Sequence, residues 1–276
     1  MTAPTAPGIY RNVPEAIYHG DRASISSSQA RRLLEVTPYR WRAELDRPRK
    51  PSTDMEWGTA LHTLVLGTGA YVVDTGAEKW TTNAVKDEVA EIRRRGHIPL
   101  RPKDFDAVHE AAEAVRAHDR AAEILAEGEP ELSAWAPDYY TGVMMRARFD
   151  WLRWVTPTSV RVADVKKSAE VTLEGFRWSV GKFGYHAQQD WYETVLDLLG
   201  IRVLGFEFIV VTSEPPHEVY VVELPPRAAD LGRLRNRHAL DIYAECTALD
   251  EWPTTPSGTT LLDLPETYYR REEYIS

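Results

Sequence analysis

The sequence predicts an α/β protein, a mixed central β-sheet with helices packed on its faces. Three observations carry that expectation. Between residues 131 and 168, valines, alanines and aromatics alternate with polar residues in three runs, the period-two signature of strands. Elsewhere apolar residues recur every three or four positions, as helices burying one stripe require. The two kinds of segment also interleave: helices, three strands, helix, two strands, helix.

Taken in order, residues 1–24 hold several prolines and a "YHG" turn and read as irregular. "SISSSQARRLLE" starts a helix: its serines offer oxygens to unpaired amides, and Leu33 and Leu34 begin an apolar face. Pro38 is expected to end it, because the residue before a proline disfavours helical backbone. "RPRKPS" reads as a basic turn. "MEWGTALHTLVLG" resumes as a helix, with Trp57, Leu61, Leu64 and Val65 on one face and Gly67 as its stop. Residues 83–95 and 104–127 read as two polar amphipathic helices. "ELSAWAP", "YTGVMMRARFDWLRW" and "SVRVADVKKS" are the strands, separated by turns bearing proline or glycine. "EGFRWSVGKF" and "YHAQQDWYETVLDLLG" read as helical. "VLGFEFIVVTS" and "HEVYVVEL", split by "EPP", read as a hairpin, and residues 227–249 as the final helix. With no internal repeat or low-complexity linker, residues 1–276 are expected to form one domain. Its parts are a mainly helical 1–130, a sheet core over 131–226, and a C-terminal helix and tail over 227–276.

A net charge of -9 over 276 residues argues against an obvious nucleic-acid binder, but the charge is uneven. Residues 31–50 hold seven basic side chains (Arg31, Arg32, Arg40, Arg42, Arg47, Arg49, Lys50) against three acidic ones. Residues 146–167 hold six against two. Either stretch is a solvated surface or a place for a polyanion. The single cysteine, Cys246, excludes an internal disulfide framework and any multi-cysteine metal site, and fits a reducing compartment. No stretch is long and apolar enough for a membrane span, and "MTAPTAPG" lacks the blocks of a secretory signal, so a cytoplasmic location is expected.

Strand alternation then sorts the charged residues by face. Val143, Met145, Ala147, Phe149 and Trp151 share one face and suit a core; Arg146, Arg148 and Asp150 share the other. On the following strand Lys166 accompanies Asp164, while Lys167 points the opposite way. If the two strands pair across "VTPTS", Asp150 and Asp164 approach one another. Two such carboxylates repel unless a proton or cation lies between them. Carboxylate oxygens with a backbone carbonyl, here that of Val165, are hard ligands suited to Mg²⁺ or Mn²⁺. A lysine beside such an ion can hold the attacking water and offset charge on a phosphate. The same triplet on a surface is an ordinary ion pair. His62 interrupts an apolar helix, as a hydrogen-bonded core residue or as a ligand. Gln188 and Tyr192 are i, i+4 neighbours within the stripe Tyr185, Gln188, Tyr192, Val195, Leu196, Leu199, and a polar pair there needs partners. Glu131 opens the strand region, as a surface carboxylate or a further acid of the site.

"GTALH", "RARFDWL", "ADVKK" and "YHAQQDWY" occur in the order of the PD-(D/E)xK (restriction-endonuclease-like) nucleases of the RecB-like branch. Over most of its length the chain resembles the RecE-type (exonuclease VIII-like) exonucleases of phages and prophages. "YHGDRASISSSQ" with "TPYRWRAE" is similar to that family's N-terminal signature, and "EPPHEVYVVEL" with "EWP" to its C-terminal part. The resemblance implies a divalent metal, Mg²⁺ or Mn²⁺, on Asp150, Asp164 and the Val165 carbonyl, with Lys166 as catalytic lysine. It implies His62 as ligand or organiser at a second metal position, Glu131 as an additional acid, and Gln188 and Tyr192 as positioning residues. It further implies 5′→3′ digestion of linear double-stranded DNA, leaving 3′ single-stranded tails for phage-type recombination, by a ring-shaped homo-oligomer with a single-strand annealing partner. On this reading Arg146 and Arg148 clamp phosphates. The helix start beside Arg31 and Arg32 receives a terminal 5′-phosphate; for all four arginines the alternative is ordinary capping and surface charge. The alternatives are a RecB-like endonuclease or flap nuclease with the same residues, or a non-catalytic DNA-binding protein on a degenerate nuclease scaffold.

Overall fold

The computed structural model describes residues 2–47, 52–255 and 257–272; Arg49 and Lys50 of the expected basic turn lie outside the described residues. The chain begins with β1 (Gly8–Tyr10), α1 (Glu15–Gly20), β2 (Ile25–Ser26), α2 (Ser27–Leu33), α3 (Pro38–Leu45) and α4 (Thr53–Leu66). There follow β3 (Val72–Asp74), α5 (Asn83–Arg94), β4 (Ile98–Leu100), α6 (Pro102–Ala117) and α7 (Asp119–Leu125). The sheet core consists of β5 (Glu129–Pro137), β6 (Met144–Thr156), β7 (Ser159–Ser168), α8 (Leu173–Phe183), α9 (Tyr185–Leu198), β8 (Arg202–Thr212) and β9 (Val219–Val222). α10 (Pro226–Leu249) and α11 (Glu266–Glu272) close the chain.

Among the described residues seven strands make the main sheet, in the order β1-β5-β6-β7-β8-β9 with β2 alongside β6. β5, β6 and β7 run antiparallel, and β7 pairs with β8 in parallel, so the sheet is mixed as expected. The β6–β7 hairpin is tight, Thr156 facing Ser159. β7 shows why its alternation matters. Val160 and Val162 enter a core made with α2, α8, α9 and α10, while Ala163 and Val165 enter a second core made with α4, α6 and α7. A strand buried on both faces carries apolar residues at both parities, and a charged side chain within it needs a partner.

Several expectations need correction. Residues 1–24 are not simply irregular: Ile9 pairs with Ala134 across β1 and β5, and α1 follows. Pro38 does not end α2, which stops at Leu33, but opens α3. Its missing N–H costs nothing in a first helical turn, and Thr37 Oγ1 accepts from Arg40 N at 3.3 Å. The helix expected over 104–127 divides at His118, whose extended backbone ends α6 and whose Nδ1 accepts from Ala121 N at 3.3 Å to cap α7. β3 and β4 form an unforeseen two-stranded parallel sheet, and α11 follows the helix taken as the last. Finally, Trp151 does not share the core of Met145, Ala147 and Phe149; it packs against the second core, and Leu152 continues the first. The phase changes beside Asp150, where the β5 residue between the pairs Pro130–Trp151 and Leu132–Phe149 is Glu131, held in left-handed backbone at φ 56. A non-glycine residue in that region is strained, and such strain gathers at functional places.

Candidate active site

Four elements converge beside that irregularity. α4 delivers His62 because Trp57 and Leu61 bury one side of the helix and Gly67, left-handed at φ 68, stops it. β6 and β7 deliver Asp150, Asp164 and Lys166. α9 delivers Gln188, fixed by the burial of Trp191, Val195 and Leu196 on the same helix.

Asp164 is 1 % exposed, and its Oδ1 accepts from Gln188 Nε2 at 2.6 Å. Its Oδ2 is ion-paired with Lys166 Nζ, which also donates to Gln188 Oε1 at 3.1 Å. Lys166, Gln188 and Asp164 thus form a closed ring of contacts. The ammonium further lies 4.7 Å from the centre of the Tyr185 ring, a cation–π contact. Asp150 Oδ2 accepts from Val165 N at 2.8 Å and lies 3.3 Å from His62 Nδ1. Lys167 leaves on the other side, pairing with Asp54 and sitting 5.5 Å over Trp57. The two lysines therefore separate by face, as alternation requires.

The electrostatics follow from the geometry. Burial pushes the Asp164 carboxyl up to about 6; Lys166 opposes the shift and the Asp150 charge adds to it. Burial also works against the Asp150 anion, but His62, Lys166 and the Val165 amide together hold it below the usual carboxylate range. The His62 imidazole is raised: burial disfavours its cation, and Asp150 outweighs burial. Glu131, across β5 from Asp150, is pushed up to about 6 by burial and by that same negative charge. The acids are crowded: Asp164 has the Lys166 ammonium, Asp150 the His62 imidazole, and Glu131 the Arg148 guanidinium at 3.6 Å.

Among the described residues no three His, Cys, Asp or Glu side chains gather into a metal cage. A pair of carboxylates with one raised well above its ordinary value is nevertheless a donor set short of positive charge. Its hard oxygens match an ion that keeps several waters and takes only one or two protein carboxylates. The residues fit a divalent cation of that kind, with the remaining positions left to backbone oxygen, water or substrate.

The other sequence candidates divide. Tyr192 is buried against Phe149, with ring centres 5.1 Å apart, and a hydrogen bond links it to Gln188; burial drives its phenol well above the ordinary range. It supports Gln188 from the core. Arg146 is no phosphate clamp: it is 1 % exposed and donates to Ser24 Oγ and Gln29 Oε1, each at 2.9 Å. Arg148 is half-buried, held by hydrogen bonds to Ser133 Oγ at 3.0 Å and Val13 O at 2.7 Å and lying 3.6 Å from Glu131. Alternation placed both beside Asp150 correctly but could not show that N-terminal segments cover that part of the sheet. The start of α2 is closed by its own capping box, Ser26 with Gln29. Arg32 is ion-paired with Glu44 at 2.8 Å, whereas Arg31 is drawn inward and donates to Phe183 O at 2.6 Å and Gly184 O at 3.1 Å. Burial lowers the Arg31 guanidinium, with Tyr192, Asp164 and Tyr185 as its acidic neighbours. Tyr185, counted in sequence only as part of an apolar stripe, is the residue missed. Its signal was its place three residues before Gln188, on the same helical face.

Two clefts flank the centre. One of about 890 Å³ is lined by His62, Glu131 and Arg148. The other, of about 850 Å³, is lined by Arg22, Arg31, Arg32, Arg47, Lys182 and Phe183. Both include Glu15, His19 and Met55, so they adjoin.

A family model described as a PDDEXK-like domain of unknown function (DUF3799) matches residues 26–262. Among solved structures, the chain is similar to a putative exonuclease from Eubacterium rectale, at 10% identity and a TM-score of 0.61, covering 95% of this chain and 98% of that one. A phage related exonuclease from Haemophilus somnus 129PT matches at 10% identity and a TM-score of 0.31, over 83% of this chain and 96% of that one. At such identity the first likeness is one of fold, and the second carries no weight. No curated protein matches.

Proposed function

The chain belongs to this PDDEXK-like family, and from that premise we propose that it is a metal-dependent exodeoxyribonuclease of the RecE type. Its substrate on this reading is linear double-stranded DNA, digested 5′→3′ to leave 3′ single-stranded tails. Residues 1–276 act as one catalytic unit, and a ring of copies with a single-strand annealing partner belongs to the same proposal. The observation that carries the reading is the ring Asp164–Gln188–Lys166 with Asp150 across the hairpin. Asp150, Asp164 and the Val165 carbonyl would hold Mg²⁺ or Mn²⁺, with His62 and Glu131 beside them. Bound there, the ion supplies a water of lowered pKa and counter-charge for the phosphate.

The protein's own groups do the rest. Gln188 presents its carbonyl oxygen to Lys166 and its amide to Asp164, fixing both at once. Lys166, oriented in this way, directs the attacking water and stabilises charge building on the phosphoryl oxygens. The water oxygen bonds to phosphorus as the bridging P–O bond breaks, and the bridging oxygen leaves with the electron pair and takes up a proton. Incubation with Mg²⁺ should consume linear duplex, spare covalently closed circles, and stop in EDTA. Equal loss of both forms would reject an exonuclease, and loss of neither would reject a nuclease. End-labelled duplexes with and without a 5′-phosphate give the polarity.

A further inference from the structure

Phe183 ends α8 and is 51% exposed, although it lines a polar cleft where Arg22, Arg31, Arg47 and Lys182 stand beside Glu15 and Glu44. A cleft that only gathers phosphates has no use for a benzyl face open to water. The ring is held in place. Gly184, left-handed at φ 67, turns the chain sharply from α8 into α9, and Arg31 clasps the carbonyls of both Phe183 and Gly184. A side chain at Gly184 would meet Arg31 Cδ at 2.8 Å, so turn and guanidinium are fitted to each other. Phe183 lies 5.8 Å from the Tyr185 ring, and Tyr185 in turn carries the Lys166 ammonium 4.7 Å from its own centre. Lys182 Nζ sits 5.3 Å over Phe183. Two aromatic rings therefore lead from the open cleft to the amine of the candidate centre, with cations along the way.

A flat apolar ring among cations recognises an unstacked nucleobase with its phosphates, since every base offers a π-face and every linkage a charge. We propose that Phe183 is a positioning residue that stacks on the base next to the attacked phosphate, so that the terminal nucleotide enters the site unpaired. This rests on the nuclease reading and adds to it how the substrate end is held. Lys182 flanks the stacked nucleotide and receives its backbone, while Arg31 holds the turn that presents the ring.

The test compares Phe183→Ala, Phe183→Leu and Phe183→Tyr with wild type on linear duplexes whose terminal nucleotide is either normal or abasic. Phe183→Ala and Phe183→Leu should lose roughly 10–100-fold in kcat/KM on normal ends, mainly through KM, the range found for removing one base–aromatic stack. Phe183→Tyr should restore activity. On abasic ends wild type and Phe183→Ala should be alike. Full activity of Phe183→Leu on normal ends would mean that the ring only packs on Tyr185, and would overturn the proposal. An equal deficit of Phe183→Ala on both kinds of end would also overturn it. If wild type cleaves neither duplex, the nuclease reading falls, and the same comparison is made by fluorescence anisotropy in EDTA. A preference for normal over abasic ends that vanishes in Phe183→Ala then upholds stacking, and no such preference rejects it.

Discussion

The β7–β8 ladder contains two buried carboxylates, and the molecule treats them in opposite ways. Glu207, paired in register with Ala163, is 4 % exposed and clasped by Arg120, whose Nε donates to Oε1 at 3.1 Å. Arg161 adds a second guanidinium 3.7 Å from Oε2, beside a small cavity of about 180 Å³. Asp164, 1 % exposed, has one ammonium, one amide and the neighbouring Asp150. The first carboxylate has more positive charge around it than it needs, and the second has less. Buried charge therefore does not by itself mark the candidate centre; a buried acid left short of cations does.

The sharpest break in this comparison comes from the two lysines. Lys166→Ala should lower kcat by about 10²–10³-fold, the usual loss when a donor aimed at developing charge is removed. Lys167→Ala, which loses a contact to Asp54 on the far side, should stay within a few-fold of wild type in the same assay. Equal losses would erase the distinction of faces.

Stability offers the next contrast. With its folded pKa raised to about 6, Asp164 penalises the fold once it ionises. The folded state holds this proton through a window in which the unfolded chain has released it. Its contribution to stability therefore falls as pH rises from about 4 to about 6, by up to about 1.4 kcal/mol per pH unit. Asp150, held low, contributes the opposite slope beneath that window. Urea denaturation in EDTA should show the fall in wild type and lose it in Asp164→Asn, which should be inactive yet at least as stable near neutral pH. Glu207→Gln should do the reverse. It should lose about 2 kcal/mol of stability, because the change removes the charge-assisted hydrogen bonds that Arg120 donates to the buried carboxylate, and keep kcat. A smaller effect tests the scaffold that presents Gln188. In α10, a Cβ at Gly232 would lie 2.4 Å from His186 O of α9. Gly232→Ala should cost about 1–2 kcal/mol of unfolding free energy, with Leu240→Met, a volume-conserving change elsewhere on α10, as the milder control.

Much of this was legible in the sequence for a plain reason. Period-two alternation fixes which side chains share a face, so Lys166 with Asp164, and Lys167 apart from them, followed from "ADVKK" alone. Gln188 was legible because a polar residue in an inward helical stripe must find a partner, and it found two. The failures have equally definite causes. Arg146 and Arg148 lie on the face that alternation assigned, but Ser24 and Gln29 hold the first and Ser133 and Val13 the second, and such partners are long-range facts. Trp151 was misplaced because alternation assumes an unbroken strand, while Glu131 takes a left-handed backbone opposite Asp150. Pro38 was misread because the same residue that stops one helix is well suited to start another.

The claim most in need of a direct answer is that the acid pair takes up a divalent cation, and Mn²⁺ binding followed by electron paramagnetic resonance asks this without any need for catalysis. Wild type should bind Mn²⁺ with an affinity that Mg²⁺ competes away, and Asp164→Asn and Asp150→Asn should each abolish that binding, while Glu207→Gln keeps it. Undiminished binding in Asp164→Asn, or none in wild type, would contradict the account.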